Sequence, residues 1–215
     1  MDIDCNCREI LRYLGVAGKV ADGRLLAGIR TGWSELNAAA TPRSQSREFP
    51  LSFWENGVRL GDFSIESADL RRHLRGCRRA VLFAATLGPG VDFLLTRAQK
   101  MDMSRAVVLQ ACAAAMTENW CDASEAPIKE RAAVRGLHLR ARYSPGYGDF
   151  PVRYQRPILR ILDSQKRIGL SVTGSSMLVP IKSVTAVIGL ADEASECHVA
   201  KCMDCTLPCA FRKKV

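Results

Sequence analysis

Two stretches of this 215-residue chain hold residues able to do chemistry. The first runs from Arg142 to Pro151 and carries a cation, two tyrosines (Tyr143 and Tyr147), two prolines (Pro145 and Pro151) and two glycines (Gly146 and Gly148). Proline fixes φ and removes a donor, while glycine admits positive φ and lets the backbone come close to a ligand. A guanidinium on so stiff a loop presents a planar fork of donors that fits a carboxylate. The same composition also suits a plain connector whose Arg is solvated. The second stretch is the C-terminal run Cys197, Cys202, Cys205 and Cys209, spaced C-x4-C-x2-C-x3-C. Four thiolates in so short a tail can reach one centre. Zinc sites usually pair two knuckles across a longer loop, whereas the compact run from Cys202 to Cys209 is closer to iron–sulfur ligation. Iron–sulfur is favoured; zinc and no metal at all stay open.

Lesser candidates surround these two. Glu118 and Asp122 stand four residues apart at the end of a helical pattern, where the helix dipole disfavours negative charge. They either face a cationic ligand or are simply solvated. Gly88, Pro89 and Gly90 join a strand pattern to a helix pattern and could receive an anion, but they lack a full dinucleotide or phosphate fingerprint. Cys5 and Cys7 alone do not complete a metal site, and His138 lies on the polar side of an alternating stretch.

The elements that must position these residues can be read from periodicity. Helices are expected over 5–14, 22–36, 68–75 with Ser67 as N-cap, 91–100, 104–121 with Ser104 as cap, and 125–135. The 104–121 helix is apolar nearly all round, which marks a central element. Residues 41–47 read as a polar loop. A hairpin follows, with Phe49–Trp54 and Val58–Leu60 flanking Asn56-Gly57, and Gly61–Ile65 extends its second strand. Val81–Leu87 is a buried strand, and Leu137–Arg142 a short one feeding the Arg142 loop. Asp149 is expected to cap a helix running to about Ser164, with Pro157 forcing a kink or a late start. Strands over Leu170–Thr173 and Lys182–Leu190 end the pattern. The fold class is therefore α+β, a mixed, largely antiparallel sheet packed by helices over residues 1–192, with a small Cys-rich tail over 193–215.

The composition is 47% hydrophobic and 25% charged, ordinary for one globular core. The net charge of +9 comes from basic residues scattered through the chain, which suits an acidic protein partner and argues against nucleic acid. No apolar run is long enough to span a bilayer, and the start Met1-Asp2-Ile3-Asp4 is acidic, so the expectation is a cytoplasmic protein with no membrane contact. Nine cysteines, an odd number, then point to metal binding rather than disulfides.

Arg142-x-x-x-Gly146-Tyr147, a helix, and then Ser175-Ser176-Met177-x-x-Pro180-x-x-Ser183-Val184-x-Ala186-Val187 resemble the activation domain of cobalamin-dependent methionine synthase, in its stand-alone bacterial form. The resemblance runs from Leu11–Gly15 to about Leu190. It departs at Gly174, where the family usually has Glu. The resemblance implies a domain that binds S-adenosylmethionine and re-methylates a cobalamin that has lost its reduced state. It implies no catalytic side chain, since the cobalt attacks the methyl group directly. Arg142 would grip the substrate carboxylate, with Ser144, Pro145 and Gly146 bringing backbone close. Tyr147 would orient the sulfonium, and Glu118 would compensate the amino group. Ser176, Met177 and Pro180 would form a neighbouring wall. The implied partners are a methionine synthase lacking its own activation domain, or another corrinoid protein presenting the cobalamin, and a flavodoxin or ferredoxin as electron donor. On this reading an iron–sulfur cluster in the tail would relay the electron. The rival is a non-catalytic metal-binding module, or a sensor of S-adenosylmethionine, docking on another macromolecule.

Overall fold

The run around Val81 is apolar at successive positions because it is buried on both faces. It forms the central strand β4 (Cys77–Thr86) of a six-stranded sheet. The computed structural model describes residues 7–16 and 22–193, and the tail cysteines Cys197, Cys202, Cys205 and Cys209 lie outside the described residues, as does Cys5. β4 pairs on one side with β1 (Arg43–Trp54) and on the other with β8 (Ser183–Ala191). Beyond β1 come β2 (Gly57–Leu60) and β3 (Phe63–Glu66), and the short β5 (His138–Leu139) joins the outer end of β8. Every pair is antiparallel, so the sheet, expected to be largely antiparallel, is antiparallel throughout the described residues.

Alternation along β4 divides the core. Ala80, Leu82 and Ala84 pack with α3 (Ala68–His73), α6 (Gln155–Ile161) and α7 (Ser164–Ile168). Val81, Phe83 and Ala85 face α5 (Met103–Ala133) on the opposite side. A third cluster joins α5 to α1 (Cys7–Tyr13), α2 (Gly23–Ala39) and α4 (Pro89–Met101). The alanine-rich first half of α5 lets these neighbours approach closely. At Gly32 on α2 an added Cβ would come within 3.1 Å of Leu109.

Several local expectations give way. Residues 43–47, within the stretch 41–47 read as loop, belong to the first half of β1. Their side chains are polar and half exposed, and the strand is fixed by its backbone ladder to β4, from Arg43 opposite Thr86 to Pro50 opposite Arg79. Gly61 takes φ +57 and turns the chain, so β3 is a separate strand rather than an extension of β2. The two helices expected over 104–121 and 125–135 are one 31-residue helix that carries Pro127 inside it, and its N-cap is Asp102, which accepts from Arg105 N at 3.1 Å, not Ser104. Ser67 does cap α3, accepting from Leu70 N at 3.0 Å. The helix expected from Asp149 starts late: a 3-10 turn at Val152–Tyr154 precedes α6, and Pro157 sits in the first turn of α6, where a missing N–H leaves no bond broken. The last two short strands, β6 (Ser171–Val172) and β7 (Leu178–Val179), form a separate hairpin.

Candidate functional site

Among the described residues the outer edge of β8 is covered only in part. β5 pairs with Leu190 and Ala191, Arg140 N donates to Gly189 O, and Tyr143 exchanges two backbone hydrogen bonds with Val187 at 2.9 Å. Past that bridge the 142–151 loop leaves the sheet, and a cleft of about 650 Å³ opens along the free edge at Ser183, Val184 and Thr185. Clefts of this size take small organic ligands.

Alternation decides where the loop's side chains go. Tyr143 is buried with the α6 side of the core, so its neighbour Arg142 points the other way, toward α5. There it meets Glu118, Asp122 and Glu125, which occupy one face of the helix. Arg142 Nη2 donates to Glu118 at 2.9 Å, and Nη1 donates to Asp122 at 2.9 Å and to Glu125 at 2.5 Å. Glu125 is the most buried of the three carboxylates and Asp122, at 70% side-chain exposure, the least. Burial is the largest influence on Arg142 and opposes its charge, but Glu125, Cys121 and Asp122 together outweigh it and keep the guanidinium protonated. Burial also pushes the Glu125 carboxyl above the usual range; Arg142 pulls it back, while Asp122 and Glu118 add to the push. Three carboxylates share one guanidinium, so the cleft carries excess negative charge. Cys121 on the same turn is buried, with its thiol pushed up to about 12 mainly by that burial, and is not a nucleophile.

The loop is held from outside itself. Asp149 does not cap the helix that follows it, as expected, but caps α3. Its carboxylate accepts from Ala68 N at 2.7 Å, from Asp69 N at 3.1 Å and from the Ser67 hydroxyl, while Asp149 N donates to Asp69 Oδ2 at 3.1 Å. This close approach requires glycine next door: at Gly148, with φ +51, a Cβ would lie 2.2 Å from Asp69 Oδ2 and 2.7 Å from the Tyr143 hydroxyl. His73 hydrogen-bonds Ala141 O at 2.8 Å through Nε2 and lies against Tyr143. The hydrogen bond to Ala141 opposes burial, which lowers the His73 pKa.

Of the residues singled out in the sequence, the cleft brings together Glu118, Asp122, Arg142, Ser144, Pro145 and Tyr147. Gly146, Ser176, Met177 and Pro180 are not among its lining residues. Gly146 does take a glycine conformation, φ +102, but its N–H donates to Phe150 O at 2.7 Å inside the loop, so that amide is not presented to a ligand. Ser176 and Met177 lie in the turn between β6 and β7, and Pro180 is buried, its carbonyl accepting from Ser183 Oγ at 2.6 Å. Sequence reasoning missed Glu125, Gln155, Leu178 and Thr185, all of which line the cleft. Glu125 follows Glu118 at i+7, a signal hidden by the helix break placed before it. Among the described residues no cluster of three or more His, Cys, Asp or Glu is arranged to hold a metal, and no helix is long and apolar enough to cross a membrane.

The fold is similar to that in the crystal structure of the MetH reactivation domain bound to AdoHcy. The TM-score is 0.67 at 15% identity, over 89% of this chain and 75% of that one. No curated protein matches the chain. A family model described as vitamin B12 dependent methionine synthase, activation domain, matches residues 79–208, from the central strand through the Arg142 loop and β8 into the cysteine tail. With more than half of its length matched, the chain belongs to the family of vitamin B12 dependent methionine synthase activation domains.

Proposed function

We propose that the cleft binds S-adenosylmethionine and presents its methyl group to a corrinoid held by another protein. The observation that carries this reading is the single guanidinium set among three carboxylates. S-adenosylmethionine brings a carboxylate together with an ammonium and a sulfonium. Arg142 offers a fork for the first, and the excess negative charge from Glu118, Asp122 and Glu125 suits the other two. The ligand carboxylate takes the place of Asp122, whose exposed ion pair is the cheapest of the three to give up. Glu125 stays and keeps the guanidinium oriented. Tyr147, largely exposed at the mouth, offers a ring face to the sulfonium.

The reaction is reductive re-methylation of cob(II)alamin: one electron enters, the sulfur–methyl bond breaks, a cobalt–methyl bond forms, and S-adenosylhomocysteine leaves. This chain's residues bind, orient and exclude water; they supply no nucleophile or base. The partners proposed are a methionine synthase without its own activation domain, or another corrinoid protein, and a flavodoxin or ferredoxin donor. Cys197, Cys202, Cys205 and Cys209 are proposed as a metal-binding tail, with iron–sulfur preferred to zinc on spacing alone. Anaerobic reconstitution with iron and sulfide should then give a visible charge-transfer band, and a colourless zinc-loaded protein would sink that assignment.

The direct test is calorimetric titration with S-adenosylmethionine. Saturable binding to the native chain, weakened at least about a hundredfold in Arg142→Ala, is expected when a buried charge-assisted pair is lost. Binding of equal strength in the variant would remove Arg142 from the site.

A further inference from the structure

The cleft has a second, uncharged end that nothing above assigns. Because β8 alternates, Ala186 and Ile188 face α5 while Val187 faces the α6 side. Thr185, two residues before Val187, therefore lies on the α6 side of the same free edge, away from the Arg142 carboxylate cluster. Thr185 is only 2% exposed and lines the cleft, yet among the described residues its Oγ1 has no hydrogen-bond partner. Gln155, at the start of α6, lines the same cleft, and its Oε1 is likewise buried without a partner. Backbone geometry adds to this. In an antiparallel ladder a residue turns its N–H and C=O to the same side, alternating along the strand. Val187 gives both of its groups to Tyr143 on the outer side, so Thr185 also turns its pair outward, where no strand covers it among the described residues.

A buried polar atom left without a partner costs roughly 1–3 kcal/mol, so two such atoms on residues lining one cleft point to a ligand that completes them. We infer that Thr185 and Gln155 form a neutral reading station for the nucleoside end of the ligand, both oxygens accepting from a donor that the ligand carries. Arg142 then takes the amino-acid end, and the two ends of the ligand lie on opposite faces of the sheet edge. This inference rests on the proposed function. It adds a selectivity for the nucleoside that the Arg142 cluster cannot supply. The chemistry required is a hydrogen-bond donor, found both in the exocyclic amino group of adenine and in the ribose hydroxyls.

The test uses the full chain and S-adenosylhomocysteine, which lacks the sulfonium charge and so isolates hydrogen bonding from the acidic cluster. Thr185→Val and Gln155→Met are each expected to weaken binding about tenfold, the equivalent of ~1.4 kcal/mol. Thr185→Ser should restore it. The unliganded melting temperature of Thr185→Val should be unchanged or raised, because the change removes a hydroxyl that has no partner. S-inosylhomocysteine and the 2′- and 3′-deoxy analogues separate the two donor sources. The analogue that binds native protein weakly, and loses nothing more in the variants, identifies the group being read. Native-strength binding of S-adenosylhomocysteine by both variants would overturn the reading station and leave the proposed function standing. No binding to the native chain would overturn both.

Discussion

The 142–151 loop and the 173–181 segment both rise beside the free edge of β8, and both carry the residues by which the chain resembles its family, but they are secured differently. The loop is tied to other elements on three sides: to α3 through Asp149, to β8 through the Tyr143 bridge, and to α5 through Arg142. The 173–181 segment is tied mostly to itself. Thr173 N donates to Met177 O, Met177 N to Thr173 Oγ1, and Ser176 N to Thr173 O; from outside come bonds from Arg156 and to Asp92. Its side chains show the same contrast. Met177, Val179 and Ile181 are 57%, 44% and 60% exposed, while Tyr143 and Phe150 of the loop are buried. The loop's order is enforced by neighbours, which fixes Arg142 in place without help from any other molecule. The hairpin instead shows apolar side chains to its surroundings and stakes little of the fold on them.

Four substitutions can break or sharpen that contrast. Gly148→Ala should have the largest effect. A Cβ there meets Asp69 and the Tyr143 hydroxyl at a positive φ, so a loss of about 3 kcal/mol in urea denaturation is expected. A near-neutral result would show that the loop can relax away from α3. Asp149→Ala comes next, with a loss of about 1–2 kcal/mol at neutral pH from removing the acceptor of the first two α3 amides, beside the Ser67 cap. Burial works against the Asp149 charge, yet the Ser67 hydroxyl and the α3 amides outweigh it and hold the carboxyl below its usual range. A depressed folded-state value means that the stabilisation is complete above the ordinary carboxylate pKa and fades as pH falls through the folded one. Native and Asp149→Ala stabilities should therefore converge in acid, and a gap independent of pH would assign the effect to packing. Smallest should be Met177→Ser and Ile181→Ser, each within about 0.5 kcal/mol of native stability. A loss above about 1.5 kcal/mol from either would place the hairpin in the core and erase the contrast.

The same division governs what could be read without coordinates. Val81–Leu87, the Asn56-Gly57 hairpin and the Ser67 cap were legible because each depends on a local pattern. The polar half of β1 was not, since Arg43–Glu48 owe their extended form to β4 rather than to an apolar face. Arg142 was legible as a residue able to grip a carboxylate, but not as one already gripped by three. That requires knowing that α5 runs unbroken through Pro127, which sets Glu125 in line with Glu118 and Asp122. Asp149 looked like the start of the next helix because capping residues normally precede the helix they cap. Here the capped helix lies some 80 residues earlier in the chain. Thr185 and Gln155 gave no signal, since nothing in their types or spacing shows that their oxygens are buried without partners.

The unbroken course of α5 carries one more consequence. At about 1.5 Å per residue the helix acts as a single stiff rod about 46 Å long. Its alanine-rich half is clamped by α1, α2 and α4, and the carboxylates that share Arg142 ride on the other half. A substitution in that distant clamp, such as Gly32→Ala against Leu109, is therefore expected to shift all three charges together. The electrostatics of this cleft thus depend on positions that do not line it.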